Sequence, residues 1–134
     1  MKTALALMLF ALPVVTQAQT FQSTTGESMD SFVLSIKADV SKLSKANGHV
    51  EVCGGIAKVD DRYTVTMTTG SELECAFDKP DGYTGVSLHT HPRNAAEGFS
   101  AADYDAGPGY LITRGFVYFQ EGRGTAQRLF KPRQ

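Results

Sequence analysis

Between Ser28 and Ala46 the apolar residues Phe32, Val33, Ile36, Val40 and Leu43 recur at intervals near 3.6, with polar residues filling the gaps. Such spacing gathers one apolar stripe onto one side of a helix, so the pattern predicts an amphipathic helix over this span. Ser28 or Asp30 can cap its start, and Asn47-Gly48 supplies a stop. After Gly48 the period shortens to two. His49-Val50-Glu51-Val52-Cys53, continued by Gly54-Gly55-Ile56-Ala57-Lys58-Val59, predicts a strand. Asp60-Asp61 makes a turn, and the alternation of Tyr, Val and Met with Thr from Tyr63 to Thr69 predicts the antiparallel partner, ended by Gly70-Ser71.

The rest of the chain divides in the same way. A short strand is expected from Leu73 to Phe77, a turn over Asp78-Lys79-Pro80-Asp81-Gly82, and a buried strand from Val86 to His91 halted by Pro92. Arg93 to Phe99 reads as a loop. Ser100 to Asp105 reads as the first turns of a second helix, closed by Gly107-Pro108-Gly109. From Tyr110 onward, apolar pieces separated by Arg114-Gly115 and by Glu121-Gly122-Arg123-Gly124 predict a closing meander of strands. The class is therefore α+β, a sheet with two helices, in one domain.

Length and charge narrow the choice. The 134 residues suffice for one domain and are too few for two. With 13 Lys+Arg against 14 Asp+Glu there is no excess positive charge, so nucleic acid is not an expected partner. The opening MKTALALMLFALPVVTQAQT has one Lys, an apolar run from Ala4 to Val15 and small residues around Ala18, the pattern of a cleaved secretory signal over residues 1–18. A membrane span needs about 20 apolar residues, more than this run offers, so no span is expected after cleavage. Gln19 to Glu27 is Ser, Thr, Gln and Gly, read as a flexible N-terminal segment before a domain covering 28–134. Secretion or export to a periplasm implies an oxidising compartment, where Cys53 and Cys75 are expected to pair, although spacing alone does not bring them within bridging distance.

The chemistry is concentrated in His89-Thr90-His91-Pro92, followed seven residues later by Ser100-Ala101-Ala102-Asp103. Residues i and i+2 of a strand share a face, so His89 and His91 would present two imidazoles side by side. Two neutral imidazoles and one carboxylate form a usual catalytic zinc shell with the fourth position left for water, and Asp103 can be the carboxylate. Each piece also has a plainer use. A strand H-x-H is often a surface or core feature, and Ser-x-x-Asp is a helix cap with an acidic first turn. The five fixed positions together would arise by chance in such a chain only on the order of once in 10⁵.

H-x-H-P, seven residues, S-x-x-D is the signature of the JAMM/MPN metalloproteases, and the chain resembles that family over Glu51 to Asp103. Glu51-Val52-Cys53-Gly54 also matches the family's upstream Glu-x-Cys-Gly context. The resemblance implies a cytidine-deaminase-like mixed sheet flanked by two helices and hydrolysis of amide or isopeptide bonds. It further implies zinc on His89, His91 and Asp103, with Glu51 as general base and Ser100 steadying the oxyanion. It names no substrate, and the compact chain lacks the insertions with which larger relatives grip ubiquitin. A peptide or isopeptide-linked partner is expected, with cell-wall peptides suggested by the compartment alone.

Several uses stay open. His49 would share a strand face with Glu51 and Cys53 and serve as a substrate or supporting contact. Cys53 could be a buried thiol or a metal ligand if it were not bridged. Gly54-Gly55 could admit an extended peptide or mark a bulge. A zinc deaminase would need H-x-E and P-C-x-x-C, both missing, and an H-x-H amidohydrolase barrel takes about 250 residues. The rival to an enzyme is a secreted JAMM-like binding module acting as an inhibitor, immunity factor or cell-wall-binding protein.

Overall fold

Ser28 opens helix α1 (Met29–Ala46) by accepting the Ser31 N–H on its hydroxyl at 3.2 Å. The expected stripe is the buried one: Phe32, Val33, Ile36, Val40 and Leu43 all face inward. At the other end Gly48 and His49 both have positive φ, 81° and 61°, and the His49 N–H bonds the Ser44 carbonyl. This left-handed exit closes the helix but breaks the strand predicted from His49.

In the computed structural model, residues 18–71, 74–92, 98–114 and 116–130 are described. The expected signal segment up to residue 17, Leu73 of the expected third strand and the expected loop over 93–97 lie outside them. Strand β2 (Val52–Val59) begins three positions later than the alternation suggested and pairs with β3 (Arg62–Thr69). Asp60 and Asp61, at φ of 50° and 59°, join them in a two-residue turn whose twist matches that of the strands.

The entry segment is not wholly flexible. Gln19–Gln22 forms β1 on the free side of β3, with Phe21 buried, the Thr20 and Thr66 hydroxyls 2.9 Å apart, and Ser23 Oγ accepting the Tyr63 N–H at 2.8 Å. Its composition promised no packed element, and the exposed edge of β3 supplied the partner. The strand expected from Leu73 to Phe77 is also missing over 74–77. Here the Ser71 N–H bonds the Glu74 carbonyl at 2.7 Å, and Cys75 is tied by a disulfide to Cys53, so local and covalent bonds replace a ladder.

Strand β4 (Tyr83–Thr90) pairs antiparallel with β2 and parallel with β5 (Gly109–Thr113), and helix α2 (Ala101–Asp105) lies in the crossover between the parallel pair. Strands β6 (Phe116–Gln120) and β7 (Arg128–Phe130) complete the expected meander. Among the described residues the fold is a single α+β domain with two helices and a mixed seven-stranded sheet ordered β1-β3-β2-β4-β5-β6-β7. The core lies where the α1 stripe meets Val52, Ile56, Val65, Met67, Leu88, Tyr110, Ile112 and Val117. Each such side chain, fully buried, contributes roughly 1.5–3 kcal/mol. Tyr110 also reaches Asp30 with its hydroxyl, and burial together with that carboxylate pushes its phenol up. Among the described residues no helix is long and apolar enough to cross a membrane.

Candidate metal centre

Alternation along β4 turns Leu88 toward α1 and His89 toward the opposite face. His91 follows the last strand residue, Thr90, and still shares the His89 side. The two Nε2 atoms stand 3.2 Å apart. Asp103 completes a triangle, with Oδ1 3.2 Å from His89 Nε2 and Oδ2 3.1 Å from His91 Nε2. All three side chains are largely buried, at 10%, 14% and 18% exposure for His89, His91 and Asp103.

Asp103 is held in place by the turn it begins. Ser100 caps α2 with a reciprocal box: its Oγ accepts the Asp103 N–H at 3.2 Å, and Asp103 Oδ2 accepts the Ser100 N–H at 2.8 Å. The plainer use of Ser-x-x-Asp is therefore real, and it aims the carboxylate at the histidines. Burial pushes the Asp103 carboxyl up, but hydrogen bonds from His89 and His91, the His89 charge and the Ser100 N–H outweigh it and hold the group far below the usual carboxylate range.

These donors fit a metal. In a tetrahedral zinc shell with bonds of about 2.0–2.1 Å, ligand atoms lie roughly 3.3–3.4 Å from one another. The two imidazole nitrogens, 3.2 Å apart, are close to one such edge, and the Asp103 carboxylate spans them with one oxygen toward each. Acceptor-capable atoms set this close repel unless a cation or shared protons lie between them. His89, His91 and Asp103 thus form a group able to hold a metal ion.

Glu51 stands just before β2. Carrying the antiparallel register Cys53↔His89 two residues further sets it across from His91, and its carbonyl accepts the Gly70 N–H at 2.7 Å. Partial burial raises its carboxyl above the ordinary value, the His89 and His91 charges pull it down, and Asp103 pushes it up again. The side chain therefore feels all three members of the triangle.

His49 does not join this face. Its left-handed backbone turns it out of the strand, and it lines a cavity beside the C-terminal half of α1 whose wall also includes His91. Cys53 is bonded to Cys75, with Cα atoms 6.0 Å apart, so the expected pairing holds and neither a free thiol nor a ligand role applies. Gly54 and Gly55 do not receive a peptide. A Cβ at Gly54 would meet the Thr66 carbonyl at 2.4 Å and one at Gly55 the Phe77 ring at 2.7 Å, so the protein's own atoms fill that space. The register shift in β2 falls beyond them, between Ile56 and Ala57.

Supporting residues that local reading missed come from distant segments. Gln120, 1% exposed, donates through Nε2 to the carbonyls of Asp103 at 3.3 Å and Gly107 at 2.6 Å, clamping α2 to the sheet. Phe99 packs by His89 with ring centroids 6.0 Å apart, and Thr90 Oγ1 accepts the Val52 N–H at 3.1 Å, joining the two site-bearing strands. A Gln or Phe in isolation carries no signal of such roles. Comparison of the chain with family models, with curated proteins and with solved structures gave no match.

Proposed function

We propose that this chain is a zinc-dependent peptidase or isopeptidase of the JAMM/MPN type, working in a periplasm or outside the cell. The observation that carries this reading is the His89–His91–Asp103 triangle with Glu51 beside it. The H-x-H-P and S-x-x-D spacing, the mixed sheet and the two flanking helices agree with the resemblance. The Cys53–Cys75 bridge and the signal-like start support the compartment.

When bound, zinc supplies Lewis acidity at the scissile carbonyl and lowers the pKa of a water to about 7. Glu51, its basicity raised by burial, takes the proton of the attacking water and passes it to the leaving amine. Ser100 accepts the Asp103 N–H on its oxygen and keeps its own O–H to donate to the carbonyl oxygen as charge develops there. His89, His91 and Asp103 would hold the metal, while Ser100 fixes Asp103 through its carboxylate and its N–H and Gln120 through its carbonyl.

The test is metal content and peptide cleavage in the same preparation. The purified chain should carry one zinc and release new amine termini from peptides or cell-wall fragments, detected by mass spectrometry. Chelation should abolish this. Glu51→Gln should keep zinc and lose about 10²–10⁴-fold in rate. Zinc absent, or cleavage unchanged in Glu51→Gln, would overturn the reading. Tight binding of a protein or wall partner that survives this substitution, with no cleavage, would select a binding module.

A further inference from the structure

Strand β1 (Gln19–Gln22) is the outermost strand of the sheet and pairs only with β3 among the described residues. Ala18, the residue before it, is exposed and lies outside the strand. The strand therefore opens at the residue that removal of the leader over 1–18 would leave first. Two independent boundaries, one set by the leader pattern and one by backbone pairing, fall at the same bond.

Gln19 then becomes an N-terminal glutamine, whose α-amine can reach its own side-chain carboxamide through a five-membered ring. Gln19 is exposed, and no hydrogen bond holds that carboxamide among the described residues. α-Amines titrate close to neutral pH, so part of the population has the lone pair that attack requires. The sheet tolerates the product. The Ser23 N–H donates to the Tyr63 carbonyl at 2.8 Å. Hydrogen-bonded pairs alternate along an antiparallel ladder, so Phe21↔Val65 and Gln19↔Met67 are such pairs too, and the Gln19 nitrogen donates to the Met67 carbonyl. That bond needs one N–H, and a lactam nitrogen keeps one.

We propose that Gln19 is converted to pyroglutamate in the exported chain. The α-nitrogen attacks the side-chain Cδ and the N–Cδ bond forms. The bond from Cδ to the carboxamide nitrogen breaks, and ammonia leaves with the proton that the α-nitrogen gives up. No oxidant, reductant or second substrate is needed. The assignment rests on removal of residues 1–18 and is independent of the hydrolase chemistry. The ring protects a weak point of the fold. β1 has four residues, so an exopeptidase that took Gln19 and Thr20 would remove half of its pairs with β3, including the 2.9 Å Thr20–Thr66 contact. The uncovered β3 would present unpaired backbone groups to which other chains can add. A pyroglutamyl terminus has no free amine for such an enzyme to grip.

The test is the full chain, leader included, exported from a Gram-negative host, purified cold near neutral pH and weighed intact by mass spectrometry. The expected mass is that of residues 19–134 with the Cys53–Cys75 bridge closed, less one ammonia. Fragmentation should place the loss on Gln19, and the terminus should resist amine labelling until a pyroglutamyl peptidase is added to the unfolded chain. Gln19→Ala should be processed at the same bond, show no loss and carry a free amine. Aminopeptidase should shorten Gln19→Ala and leave the parent whole, and shortening of the parent would overturn the ring.

The ring and the leader fail separately. A chain that begins at Gln19 and keeps its free amine through prolonged incubation at neutral pH would overturn the ring while leaving export standing. A chain that begins at any other residue would overturn both the ring and the placement of the leader boundary. Neither result bears on zinc content or on cleavage that depends on Glu51.

Discussion

On one side of β4, Leu88 joins the apolar cluster under α1, and on the other His89 faces His91 and Asp103. The α1 side holds together by area. Phe32, Val33, Val40, Val52, Ile56 and Leu88 are all at 0% exposure, and each has several neighbours of the same kind. The His89 side holds together by direction, through a capping box, a buried amide, a disulfide and hydrogen bonds of defined length. Burial is non-directional and tolerates exchange among apolar residues, whereas each directional contact has a specific partner. Damage should accordingly appear as lost stability on the first side and as lost metal affinity on the second.

Four variants sharpen or break this contrast. Phe32→Ala, on the α1 side, should cost about 3–5 kcal/mol in urea unfolding, while zinc affinity of the folded protein stays near that of the parent chain. A large fall in affinity would show that the two sides are not independent. The pair Cys53→Ser with Cys75→Ser releases a crosslink over 22 residues and should cost about 3 kcal/mol. Because Cys53 pairs in register with His89, this variant should affect both readouts, weakening zinc as well. Ser100→Ala should be the mildest for folding, about 1 kcal/mol from the lost cap, yet it should weaken zinc measurably in a competition titration. Asparagine at this position, able to cap, should restore zinc affinity without restoring the rate, since it lacks the hydroxyl assigned to the carbonyl oxygen. Full activity in Ser100→Ala would confine Ser100 to a capping role.

How much was legible varied with the range of the interactions involved. Helix α1 and the β2–β3 hairpin could be read because their signals, a 3.6 stripe and an Asp-Asp turn between alternating runs, lie within the segments themselves. His89, His91 and Asp103 were legible for a related reason: strand geometry and a helix cap set the spacing of all three within 15 residues of chain. Strand β1 was illegible because its polar residues become a strand only against the edge of β3. His49 was misread because alternation says nothing about a left-handed residue after Gly48.

Residue order alone determined the helix stripe, the hairpin and the identity of the three candidate ligands, since these follow from dihedral preference and side-chain period over a few residues. Tertiary structure decided that Glu51 comes within electrostatic reach of His89, His91 and Asp103, that Gln120 clamps α2, and that Lys45 and Arg114 share a cavity with His91. Those neighbours are far apart along the chain, and no local preference encodes contacts that arise only when strands choose partners and a sheet buries one face.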